Sequence, residues 1–160
     1  MRLRLINKIC RYTIPFALIF GNNAFAFNIF GHAPDNEILL GMWTAHISGG
    51  TNHDRAANNT VGLVYKSFFA ATFTNTYSRQ SVAAGLERMW VTQQINTHTT
   101  LSLGYRLGLM YGYDKRLMRL AGQTPILPFA QLLADFSYRR VGLEISYTGI
   151  VISAGFYILI

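Results

Sequence analysis

From residue 38 onward, apolar and polar residues alternate with a period of two. The clearest stretch is Thr97 to Tyr113. Its odd positions include Leu101, Leu103, Tyr105, Leu107, Leu109, Tyr111 and Tyr113, and its even positions Ser102, Gly104, Arg106, Gly108, Met110 and Gly112. Successive side chains on a strand point to opposite faces, so one face is apolar and aromatic and the other small or polar. The same reading places Leu39, Gly41, Trp43, Ala45 and Ile47 on one face and Met42, Thr44, His46 and Ser48 on the other. Val141, Leu143, Ile145 and Tyr147 oppose Gly142, Glu144 and Ser146, and Ile152, Ala154, Phe156, Ile158 and Ile160 share the apolar face at the end. Eight strands are predicted, at about 38–48, 60–66, 67–77, 81–92, 97–113, 125–138, 140–148 and 150–160.

Eight two-faced segments of roughly ten residues predict the smallest class of transmembrane β-barrel, all-β and antiparallel, of the outer-membrane type. A soluble sandwich would turn the same apolar face inward. The tyrosines on that face favour lipid, because tyrosine collects at the membrane–water interface. Short connections at 66/67, 93–96 and 138–140, against long ones at 49–59 and 112–124, put both termini on the periplasmic side. The closing Ser153-Ala154-Gly155-Phe156-Tyr157-Ile158-Leu159-Ile160 resembles a signal for the outer-membrane barrel-assembly machinery, with Ile where Phe or Trp is usual.

The N-terminus changes the meaning of the charge. Arg2, Arg4, Lys8 and Arg11 precede a short apolar core, Tyr12 to Phe20, and the small-x-small site Ala24-Phe25-Ala26. That order predicts a secretory signal peptide, residues 1–26, cleaved after Ala26, and a barrel domain over 27–160. Four of the fourteen basic residues behind the net charge of +7 fall within it, as does the single cysteine, Cys10. The predicted location is the outer membrane of a Gram-negative bacterium. A hydrophobic fraction of 51% with 13% charged residues excludes disorder, and one cysteine excludes a disulfide scaffold. No metal, cofactor or nucleic-acid partner is expected, and a monomer is.

By parity, Glu87, Arg106 and Glu144 point inward, and Asp135 is expected to join them as a charged plug of the barrel interior. At the outer rim, His46 approaches from the lumen side. Loop one carries His53, Asp54 and Arg55, the third strand ends in Phe73-Thr74-Asn75-Thr76-Tyr77 followed by Ser78, Arg79, Gln80 and Ser81, and loop three carries Lys115, Arg116 and Arg119. A base beside hydroxyls can serve acyl transfer, and a polar rim is equally ordinary on a barrel. The basic loop is either a solvated face or a dock for lipopolysaccharide phosphates. Pro125 and Pro128 mark either a strand start or a gap in the wall through which a lipid tail enters sideways. Met42, Thr44, Gly108 and Met110 would leave the upper lumen small or apolar enough for an acyl chain.

Over roughly residues 40–160 the chain resembles the lipid A palmitoyltransferase (PagP) family. The resemblance rests on Trp43 to His46, on Phe73-Thr74-Asn75-Thr76-Tyr77, on Thr124-Pro125-Ile126-Leu127-Pro128 and on the Gly-aromatic closing strand. It extends to small barrels of this type in phage and marine bacterial genomes. The resemblance implies transfer of a phospholipid acyl chain to lipid A. In that frame His46 is general base or orienter, while Asn75 and Thr76 stand where the family has Asp and Ser. Asn75 is then an oxyanion or positioning donor, and Thr76 the hydroxyl. Tyr77, Arg79, Ser81, Lys115, Arg116 and Arg119 would bind substrate, and Pro125 and Pro128 would admit it. A non-catalytic barrel that binds lipid or alters the cell surface is the alternative, favoured by the missing carboxylate at 75. A soluble periplasmic carrier is the third reading.

Overall fold

The computed structural model describes residues 30–47, 57–113 and 124–160. They form a closed antiparallel barrel of eight strands in sequence order: β1 (Glu37–His46), β2 (Val61–Tyr65), β3 (Phe68–Thr74), β4 (Gln80–Asn96), β5 (Thr99–Tyr111), β6 (Ile126–Tyr138), β7 (Val141–Tyr147) and β8 (Val151–Leu159). Every strand pairs with its sequence neighbour, and β1 closes on β8. The predicted all-β barrel is therefore present. The predicted signal peptide, residues 1–26, and with it Cys10, lies outside the described residues.

Three short turns share one end with the start of β1 and the finish of β8. At 66–67 both residues hold positive φ, Lys66 at 48° and Ser67 at 75°. Two left-handed residues in a row match the twist of a tight hairpin. The second turn is a correction. β4 runs on to Asn96 through two register shifts, so the connection is 97–98 rather than 93–96. The third turn, at 139–140, carries Arg139 at φ 56°. Below the start of β3, the long β4 has an uncovered edge. Residues 30–32 cover it, with His32 and Met89 exchanging two backbone hydrogen bonds of 2.8 and 2.9 Å. Arg88 holds the same segment through Gly31 O at 2.7 Å.

Alternation sorts the side chains as expected over most of the barrel. Val61, Leu63, Leu86, Leu107, Leu109, Leu132, Phe136, Ile145, Ile152 and Phe156 lie exposed on the outside. Trp43, Tyr111 and Tyr147 ring the loop end of this surface, and Tyr65, Phe68 and Tyr138 the turn end. Inside, Leu39, Val64, Phe69 and Tyr157 form a small apolar core, with Phe129 set edge-on to Phe69 at 5.7 Å.

Two face assignments are corrected. Gly41 holds φ +66° at a bulge in the β1–β8 ladder. A bulge adds one residue and reverses parity beyond it, so Leu39 points inward while Trp43 and Ala45 point outward. Tyr113 also leaves the outer face. Gly112, at φ +109°, turns the chain just past β5 and sends Tyr113 into the barrel mouth.

Candidate functional site

The interior divides into two halves. The half toward the short turns holds the charges. Arg106 on β5 bonds Glu87 Oε2 through Nε at 2.7 Å, and Glu144 through both terminal nitrogens at 3.1 and 2.7 Å. Its guanidinium also lies 5.0 Å from the centre of the Phe69 ring. The expected plug is thus present, with one change in its membership. Asp135 is buried as expected, but its carboxylate meets Glu37 and Glu87 rather than closing on the guanidinium. Glu37 escaped the sequence reading because alternation carried back from Trp43, without the bulge at Gly41, turns it outward.

The half toward the long loops contains a cavity of about 380 Å³. Met42, Phe69, Phe73, Ala83, Met110 and Phe129 supply apolar wall, and Arg106 with Glu144 form the floor. Of Met42, Thr44, Gly108 and Met110, expected in the upper lumen, all but Gly108 line this cavity. His46, Thr76 and Tyr113 stand around its mouth. Sequence positions 46 and 76 are therefore brought to one cavity from β1 and from the connection after β3.

Asn75 holds that connection in place. It is fully buried and has a complete set of partners. Its Nδ2 donates to Ser81 Oγ at 3.0 Å and to Gly112 O at 2.9 Å, while Oδ1 accepts from the Tyr77 and Arg79 backbone N–H groups at 2.9 and 3.1 Å. The main chain adds Asn75 N–H to Arg79 O at 2.8 Å and Ser78 N–H to Asn75 O at 2.9 Å. Both amide hydrogens are engaged in these bonds. Ser81, expected to contact substrate, is buried beneath this clip. Arg79 is exposed at the rim. Tyr77 packs edge-on to Tyr113 at 6.4 Å. Burial, and then the Tyr77 phenol, push the Tyr113 hydroxyl up to about 12. His53, Asp54, Arg55, Lys115, Arg116 and Arg119 lie outside the described residues.

The barrel wall is incomplete beside the cavity. β6 pairs with β5 along its whole length, from Ile126 to Tyr138. Its ladder with β7 starts only at Leu132, opposite Tyr147. The stretch 126–131, with Pro128 inside it and Pro125 just before it, has no β7 partner. Pro128 and Phe129 line the cavity, as do Thr148 and Ile150 from the β7–β8 connection. On the opposite side, the β1–β2 ladder ends at Leu40 and Val61, and the segment 57–60 continues it loosely. There Asn58 N–H donates to Met42 O at 2.7 Å, Gly41 N–H to Thr60 O at 2.8 Å, and the Asn58 amide to Thr44 Oγ1 at 3.1 Å.

No protein-family model matches this chain, and no curated protein matches it.

Proposed function

We propose that the chain is an outer-membrane barrel that moves an acyl chain from a phospholipid to lipid A. The observation that carries this reading is the apolar cavity with a polar mouth, opening beside the β6 stretch that lacks a β7 partner. An acyl tail entering through that gap would lie against Met42, Phe73, Met110 and Phe129, and its ester would stop near His46 and Thr76. His46 takes the proton of the acceptor hydroxyl as that oxygen attacks the ester carbonyl. The acyl–oxygen bond to the glycerophospholipid breaks, and the proton passes to the departing alkoxide. Thr76 offers its hydroxyl to the carbonyl oxygen, and Asn75 fixes the Thr76 backbone. Arg79, with Lys115, Arg116 and Arg119 of loop three, would hold phosphates.

The apolar exterior, with aromatic residues toward both ends, supports a membrane-embedded barrel over a soluble carrier. The complete bonding of Asn75 favours a second reading, in which the same cavity binds a lipid tail without chemistry.

Expression in an outer membrane that lacks its own lipid A acyltransferase separates the two. Mass spectrometry of lipid A should show a gain of one acyl chain with the native protein and none with His46→Ala. No gain with a correctly folded native barrel leaves the lipid-binding reading. A gain that survives His46→Ala removes His46 from the site.

A further inference from the structure

The charges near the short turns do not balance. Glu37, Glu87, Asp135 and Glu144 face Arg106 alone among the described interior residues. Glu37 is 3%, Glu87 0% and Asp135 4% exposed. Glu144 and Oε2 of Glu87 are satisfied by the guanidinium. What remains is an oxygen from each of the other groups: Glu37 Oε2, Glu87 Oε1 and Asp135 Oδ1, all buried and without a hydrogen-bond partner. Carboxylate oxygens of these three residues converge within 4.8 Å of one another.

Buried carboxylates without partners are costly unless paired or bound to a metal. Three strands nevertheless bring these to one point: β1 supplies Glu37, β4 Glu87 and β6 Asp135. A central ion bonding each oxygen at roughly 2.3–2.6 Å bridges a spread of this size. The donors are all carboxylate oxygens, with no imidazole or thiolate, which selects a hard cation over zinc or copper. The excess of three negative charges favours a divalent ion over a monovalent one.

We propose that Glu37, Glu87 and Asp135 hold one calcium-like divalent cation inside the barrel. Glu87 then bridges, with one oxygen on the ion and the other on Arg106. The ion ties β1 to β4 and β6, strands that share no ladder. None of its three ligands lines the cavity at the loop end, so the ion enters as the barrel closes and exchanges slowly afterwards. This site stands independently of acyl transfer.

The test is to fold the full barrel in detergent with calcium, desalt it, and measure retained metal by elemental analysis. One calcium per barrel is expected, with a melting midpoint roughly 5–10 °C above that of protein folded in chelator. Terbium in place of calcium should give luminescence excited through tyrosine, since the β1–β8 register sets Tyr157 diagonal to Glu37. E37Q/D135N should fold but retain no ion and melt alike with and without calcium. The proposal is overturned if the native barrel, folded by circular dichroism, retains no stoichiometric calcium and melts identically in calcium and chelator, which would mean that protons balance the charge. It is equally overturned if E37Q/D135N keeps the ion. The native-chain measurement decides the matter even if that variant fails to fold.

Discussion

The two halves of the barrel interior are built from the same alternation and put to opposite uses. Toward the short turns, inward positions carry Glu37, Glu87, Arg106, Asp135 and Glu144, and β6 and β7 are fully paired. Toward the loops, inward positions carry Met42, Phe73, Ala83 and Met110, and the β6–β7 ladder is missing. Alternation decides only which side a residue faces. The residue type at the inward position then decides between a filled, charged floor and an apolar chamber. In the proposed reaction the parted wall would admit the acyl tail and the charged floor would limit its depth.

The severest way to break this contrast is to remove Arg106. In Arg106→Met, Glu87 and Glu144 lose their shared partner in the barrel interior. Breaking one side of a buried ion set costs about 3–5 kcal/mol. The urea midpoint for unfolding from detergent should fall accordingly, and adding Glu144→Gln, which leaves the proposed cation ligands in place, should recover part of the loss. A single variant no less stable than the native chain would mean that the charges at this end are not a structural floor.

Asn75→Ala strikes the other end. It strips Ser81, Gly112, Tyr77 and Arg79 of their partner at a fully buried position. Stranded buried polar groups cost about 1–3 kcal/mol. Asn75→Asp should also destabilise, because a carboxylate cannot donate to Gly112 O. Acyl transfer that appears or strengthens in Asn75→Asp would restore the residue to the chemistry rather than to the scaffold.

Alternation made the barrel legible from sequence, along with the strands β5 to β8 almost to their ends, the inward charges of β4 to β7, and the prolines beside the wall gap. What escaped were places where single backbone angles redirect side chains. Gly41 looked like one more small residue in an alternating strand. Its positive φ allows the bulge, and the bulge reverses Leu39 relative to Trp43. Gly112 did the same to Tyr113. Glu37 was missed because its inward direction depends on the bulge that follows it. The bonding of Asn75 needs Gly112, 37 residues away, and no local pattern announces such a partner. The meeting of Glu37, Glu87 and Asp135 likewise depends on strand order and stagger.

Gly41 lies where the two halves meet on β1, so its replacement is a milder probe of the boundary. A Cβ there meets nothing closer than the Trp43 ring at 4.0 Å. The penalty of Gly41→Ala is therefore conformational, about 1–2 kcal/mol for a left-handed non-glycine residue. A loss near that size, read from the urea midpoint, fits retention of the bulge. If Gly41→Ala is neutral, the bulge has moved, and cysteine labelling at positions 39 and 43 should then show both on one face.

The smallest effect belongs to Tyr113 and sharpens the picture of the chamber mouth. Its hydroxyl titrates at about 12 instead of the usual 10, first because it is buried and second because the Tyr77 phenol is beside it. Between those two values the unfolded chain has released this proton while the folded chain still holds it. The folded state therefore binds more protons, and stability falls as pH rises. The contribution is fully present below pH 10, declines from there toward 12, and is constant above. Tyr113→Phe should leave stability at neutral pH nearly unchanged and remove this part of the alkaline slope. Ultraviolet titration at the phenolate band should show one tyrosine fewer in the late-ionising group. If the slope between pH 10 and 12 is the same in Tyr113→Phe, the ring does not sit inside the mouth, and Gly112 does not turn the chain inward there.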